Sequence, residues 1–120
     1  MTPDELKRRT KEFTIRIIRL AEALPRGRSS DVIAKQIIRC GSSVGANYRS
    51  ACRARSQADF AAKMKIVEEE ADESLYWMEV LAAAGLMRKD RLEGLMKEAN
   101  ELLSITVGSI NTVRRKMRNS

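Results

Sequence analysis

Leu6, Thr10, Phe13, Ile17, Leu20 and Leu24 recur at steps of three and four residues, with mostly charged residues between them. That period puts them on one face of a helix. Thr2-Pro3-Asp4-Glu5 supplies a capping threonine, a proline at the first helical position and a glutamate three residues after the cap. Those groups satisfy the free backbone N–H groups at a helix start. The stretch from Pro25 to Ser30 breaks the period. It resumes through Ile33, Ile37, Cys40, Val44, Tyr48 and Ala51, and it runs across two glycines without interruption. Ser56, with Asp59 three residues on, opens a third helix whose inner face is Phe60, Met64, Val67, Ala71, Ser74, Met78 and Leu81, widened by Trp77 and Val80. Gly85-Leu86 has the form of a Schellman stop. A fourth stripe holds Leu92, Met96, Ala99, Leu103, Thr106, Ile110, Val113 and Met117. The predicted helices span about 3–24, 30–54, 57–84 and 89–118 of one domain, residues 1–120. Helices of similar length joined by short links predict an all-α fold, an up-down-up-down antiparallel four-helix bundle.

The glycines sit in the run Cys40 to Ser56, CGSSVGANYRSACRARS. Gly41 and Gly45 are four apart and share a helical face, with Ala46 beside them. Each glycine costs a helix about 1 kcal/mol relative to alanine. A strip of such residues admits a neighbouring helix at close range, which is the role expected of Gly41, Gly45 and Ala46. As a phosphate-cradling loop the segment is weak: GSSVG lacks the lysine that completes such a loop, and no strand precedes it.

Composition narrows the function. The 120 residues are 43% hydrophobic, 32% charged and only 4% aromatic, with two prolines, which suits a soluble helical domain rather than a β-sandwich. There is no histidine, so imidazole metal sites and histidine-based catalysis are excluded. No stretch nears the roughly 20 apolar residues of a membrane span. The opening MTPDELKRRTKEF is charged where a signal peptide is apolar. The cytoplasm is the expected compartment, with no membrane partner. Cys40 and Cys52, on one helix, stand roughly 18 Å apart, so two small buried thiols are expected rather than a disulfide.

The net charge of +7 is unevenly spread. Residues 26–56 carry seven basic side chains and one acidic, while residues 57–85 carry two basic and seven acidic. Antiparallel neighbours with that asymmetry attract, and the remaining basicity suits a polyanion. Arg49, Arg53 and Arg55, with the C-terminal run Arg114, Arg115, Lys116 and Arg118, are the candidate phosphate contacts for RNA or DNA. The plainer alternatives are solvated surface, a helix-dipole complement at the C-terminus, or partners for acids on another subunit. Gln36, Arg39, Ser43 and Asn47 form a polar line on the second helix. A carboxylate of the third helix, Glu70 or Glu73, is expected to face it as a buried, hydrogen-bonded network. The plain alternative is a solvated acidic face. The acidic cluster raises a di-iron site, but that chemistry wants Glu-x-x-His motifs, so no metal or cofactor is expected. The serines and thiols have no base to activate them, so no catalytic residue is assigned.

Gln36 through Gly85 carries a specific pattern: Gln36, Arg39, Ser43, Gly45, Ala46, Asn47, then Ser56, Asp59, Phe60, Glu70, Glu73 and Gly85. This resembles the bacterial four-helix bundle family named for proteins encoded in intervening sequences of 23S rRNA genes. The resemblance covers the central 50 or so residues closely. It implies a left-handed up-down bundle and a ring-shaped homopentamer, without a settled biochemical activity. Proteins of similar kind include the accessory variability determinant of diversity-generating retroelements, a basic pentameric barrel that engages nucleic acid and a reverse transcriptase. The resemblance therefore admits a reverse transcriptase or another protein as a partner. One departure stands out. Many members follow the asparagine with an acid-glycine pair, where this chain has YRSACRARS. Two functions are expected to compete: a non-enzymatic oligomeric nucleic-acid accessory factor, and a protein-interaction scaffold with no nucleic-acid role.

Overall fold

The computed structural model describes residues 1–120 as four helices, α1 Pro3–Glu22, α2 Arg28–Ala51, α3 Gln57–Ala83 and α4 Lys89–Arg118. Local chemistry sets the ends. Thr2 and Glu5 close a reciprocal capping box on α1. At α3 the Ser56 hydroxyl accepts the Asp59 N–H at 3.0 Å, and the Asp59 carboxylate accepts the Arg55 N–H at 3.1 Å. Gly85, at φ 72°, lets the Leu86 N–H reach back to Leu81 O at 2.9 Å and its own N–H reach Ala82 O at 3.1 Å. That is the Schellman pattern. The second helix begins at Arg28, before the expected Ser30. Gly27 takes the cap position with φ 155°, so Ser30 enters the first turn and is buried. It ends at Ala51 rather than near residue 54, because Cys52 to Arg55 turn toward α3.

The helices pack in chain order around a square. Each meets its sequence neighbour, α1 also meets α4, and α1–α3 and α2–α4 stand across the diagonals. The α1–α4 seam is much the lightest of the four. The bundle measures 53 × 21 × 20 Å. One cluster of 23 buried residues forms the core, centred on Phe13, Ile17, Ile37, Met64, Met78, Leu81 and Leu102. Every fully buried side-chain N or O atom has a hydrogen-bond partner. No helix is long and apolar enough to cross a membrane.

The stripes of α1 and α2 face inward as the pattern predicts. On α4 the buried row is Leu92, Leu95, Ala99, Leu102, Thr106 and Ile110. Met96 and Leu103 are only half-buried, and Met117 is exposed. The sequence offers adjacent apolar pairs there, Leu95-Met96 and Leu102-Leu103. Only the rotation of α4 against its neighbours selects between them. Similarly, α3 buries Ala61 and Leu75, while Phe60 is half-buried. Of the two thiols, Cys40 is buried and Cys52 is exposed; both are free. Cys52 is the C-cap of α2, where the helix leaves the core.

α1 and α2 approach closely at two glycines. A Cβ built on Gly41 would stand 2.8 Å from Ile17 Cγ1 and 2.9 Å from Cγ2. One built on Gly45 would stand 3.2 Å from the Thr10 carbonyl oxygen. The Thr14 hydroxyl donates across the interface to Gly41 O at 3.3 Å. Ile17 is fully buried and branched at Cβ, so its stiff side chain has little freedom to move away from a side chain at position 41. Gly41→Val is therefore expected to destabilise the protein by about 2 kcal/mol through overpacking. Gly108, also helical but with open space where a Cβ would go, gives the opposite sign: Gly108→Ala should stabilise by up to about 1 kcal/mol. Urea denaturation of the two variants measures both.

Candidate nucleic-acid interface

The antiparallel close approach of α1 and α2 brings two basic rows together. Lys7 and Lys11 are one turn apart on α1, with Arg8 beside them; Arg49 and Arg53 are one turn apart on α2. These five cations line one groove of about 660 Å³, with no carboxylate in its lining. The floor is small and near-neutral: Thr10, Thr14, Gly45 and Ala46. The Thr10 and Thr14 hydroxyls are turned onto backbone carbonyls, so the groove presents positive charge and little else. None of the five cations belongs to any of the ion pairs in the structure. Ala46 is exposed on this floor. Exposed, it is not the tight contact expected beside the glycines; a Cβ at Gly41 or Gly45 would meet α1.

A second hollow, about 730 Å³, opens at the end of the bundle and shares Lys7 with the groove. Arg55 and Lys116 stand on it, among Tyr48, Phe60, Ile105 and Val113. Arg55 has an acid close by: the Asp59 carboxyl, held below its ordinary 3.8 by Lys63 first and by the Arg55 N–H next. Arg114, Arg115 and Arg118 are exposed on the last turns of α4 and line neither hollow. The basic residues singled out in the sequence thus divide among three places. Lys7, Arg8 and Lys11 were not among them. Asp4, Glu5, Glu12 and Glu22 dilute the charge of the first helix when it is counted along the chain. A count by helical face would have exposed the row, since Lys7 and Lys11 share a face.

The α2–α3 seam is built differently. Arg39 donates to Gln36 Oε1 at 3.2 Å, to Glu70 Oε2 at 3.2 Å and to Glu73 Oε2. Glu73 also accepts the Trp77 indole N–H at 3.1 Å. This is a surface clasp rather than the expected buried network, because the Arg39 side chain is 49% exposed. Asn47 is not part of it. Its amide donates to Ser43 O and Ser43 Oγ, at 2.9 and 2.7 Å, on its own helix. Below the clasp, the Ser74 hydroxyl lies 3.4 Å from the Cys40 sulfur, and burial pushes that thiol's pKa up. No three acidic or thiol side chains gather in a group able to hold a metal ion.

Fold and groove together define an all-α bundle with a strongly cationic α1–α2 face. The model of the 23S rRNA-intervening sequence protein family matches residues 5–108, and the chain belongs to that family. The matched span contains all five groove cations and ends before Arg114. A crystal structure of a protein with unknown function from the S23 ribosomal protein family, from Bacteroides thetaiotaomicron VPI-5482, is similar. It is 33% identical with a TM-score of 0.85, covering 92% of this chain and 99% of that one. No curated protein matches the chain.

The clasp makes a pH prediction. Glu73 is held below its ordinary 4.5, chiefly by the hydrogen bond from Arg39 and further by the Trp77 N–H. A carboxyl lowered in the folded state adds stability that is present above its unfolded pKa and lost as pH falls through the folded one. Glu73→Gln should therefore be less stable than the parent at neutral pH. The two should converge on acidification below the ordinary glutamate range. Denaturation curves followed by the fluorescence of Trp77, the single tryptophan, measure the difference at each pH.

Proposed function

We propose that this protein is a non-catalytic accessory factor that binds the sugar-phosphate backbone of a nucleic acid through the α1–α2 groove, and that it acts as a homo-oligomer. The observation that carries this reading is the set of five cations, Lys7, Arg8, Lys11, Arg49 and Arg53, around one groove with no carboxylate to neutralise them. Phosphate contacts of this kind fix a strand without reading its bases. The groove lining holds no aromatic residue; Tyr48 is buried, and the exposed Tyr76 sits on α3 against Trp77. A stacking platform of the kind that single-strand readers use is missing from the groove. Arg55 and Lys116 extend the positive field past Lys7 at the bundle end. The exposed Ile18 and Val32 are apolar surface that a neighbouring copy would cover. The homopentamer implied by the family resemblance would set five grooves around one ring.

A scaffold role has an observation of its own. The acids Glu69, Asp72 and Glu79 are exposed on α3, diagonal to α1. One copy could therefore offer carboxylates to the arginines of the next. Charge reversal separates the two roles. Arg49→Glu with Arg53→Glu should abolish nucleic-acid binding and leave the oligomer intact. Loss of the oligomer instead would favour the scaffold.

The affinity itself should be steeply salt-dependent. Five phosphate contacts give a slope of log K against log salt of roughly −3.5 on a single strand and −4.5 on duplex DNA. Fluorescence anisotropy of a labelled RNA hairpin, a single strand and a DNA duplex over a range of KCl measures it and ranks the nucleic acids. Arg53→Gln should lower the magnitude of the slope by about one. Binding absent at low salt, or flat with salt, would overturn the proposal.

A further inference from the structure

The α1–α4 seam holds a second set of unpaired cations, none of which lines the α1–α2 groove. Near the start of α1, Arg9 donates to Glu98 of α4 at 3.0 and 2.5 Å, with Glu101 at 3.8 Å. Arg16 lies seven residues further along α1, two turns on the same face. The helices run antiparallel, so the matching step back along α4 from Glu98 is to position 91, an arginine. The register that closes an ion pair at one point therefore sets like charges against each other two turns away. Arg16 reaches α4: a Cβ on Gly94 would stand 3.4 Å from its Nη2. Arg19 joins the two, and Arg16, Arg19 and Arg91 line a hollow of about 260 Å³ over an apolar floor that includes Leu20, Met87 and Leu95. On α1, Glu12 is four residues before Arg16 and Glu22 three after Arg19, yet none of the three arginines has a carboxylate oxygen within 4.0 Å of its side-chain nitrogens.

We propose that this hollow binds a phosphomonoester. The dianionic phosphate would sit among the three guanidiniums, and a small apolar substituent would rest on Leu20, Met87 and Leu95. Planar guanidinium forks match phosphate oxygens in pairs. Three of them from two helices suit the three free oxygens of a terminal phosphate better than the two of a phosphodiester strand. The hollow is also smaller than the roughly 300–1,000 Å³ typical of drug-sized ligand sites, which favours a compact ester. Gly94 keeps the wall clear beside Arg16. The ligand would replace a repulsion across the weakest seam with a bridge, so binding should raise thermal stability by mass action.

The test uses the full chain and phenyl phosphate as probe, with inorganic phosphate and benzyl alcohol as comparators at constant ionic strength. Calorimetric titration should show saturable binding of phenyl phosphate, at least several-fold tighter than inorganic phosphate and absent for benzyl alcohol. Arg91→Gln should weaken it tenfold or more. Gly94→Leu, which keeps every charge and fills the hollow, should do the same. Without ligand, Arg91→Gln should melt no lower than the parent, because one of three clustered like charges is gone; this shows that lost binding is not lost folding. Arg49→Glu with Arg53→Glu should bind the probe as the parent does. No saturable binding to the parent, equal affinity for inorganic phosphate, unchanged binding in Arg91→Gln, or loss of binding in the groove variant would each overturn the proposal.

Discussion

Two glycines on α2 set the distance on which much of the molecule's surface depends. With no side chain at positions 41 and 45, α1 settles until Ile17 and the Thr10 backbone touch α2. Contact that tight fixes both separation and register, because a shift along the axis would drive Ile17 into Val44 or Cys40 instead of a gap. The helix gives up roughly 1 kcal/mol of propensity at each glycine and gains a densely packed seam in return. Everything on the outer edges of α1 and α2 inherits that register. Lys7 and Lys11 come alongside Arg49 and Arg53 because the backbones beneath them cannot separate.

Charge is sorted by seam. Along α2–α3 the basic and acidic helices neutralise each other at the surface through Arg39, Glu70 and Glu73. Along α1–α2 both helices bring cations and neither brings an acid to the groove. The α1–α4 seam does both, closing Arg9 on Glu98 and leaving Arg16 to face Arg91. Unneutralised cations held together by a rigid backbone raise the local potential and draw anions. They also lower the stability of the free protein slightly. Surface ion pairs contribute little to stability in any case, typically under about 1 kcal/mol. The core of Phe13, Ile17, Ile37 and Met78 holds the fold.

Membership of the 23S rRNA-intervening sequence family places the bundle among related chains, and the Bacteroides structure shares its fold over nearly its whole length. Fold alone assigns no activity. The run YRSACRARS ends α2 with arginines and no acid. Arg49 and Arg53 of that run are the α2 half of the groove. The half contributed by α1 holds three cations to the two of α2, so the groove is not the accident of one basic segment.

The sequence by itself determined the elements and most of what they bury. Capping at Thr2 and Ser56, the Gly85 stop and the inward stripes of α1 and α2 are local matters, set by backbone hydrogen bonding and by a period of 3.6 residues. The continuity of α2 through its glycines was legible for the same reason. Tertiary structure decided the rest. The pattern on α4 left Leu95 against Met96 and Leu102 against Leu103, and only packing chose. Arg39 was legible as a partner for Glu70 and Glu73, but its exposure was not, since burial depends on what lies outside a seam. The groove was half visible: Arg49 and Arg53 stood out as a run without acids, whereas Lys7, Arg8 and Lys11 were masked by acids that the fold turns elsewhere. Which cations share a hollow is a property of how helices are rotated and spaced against one another, and linear order records neither.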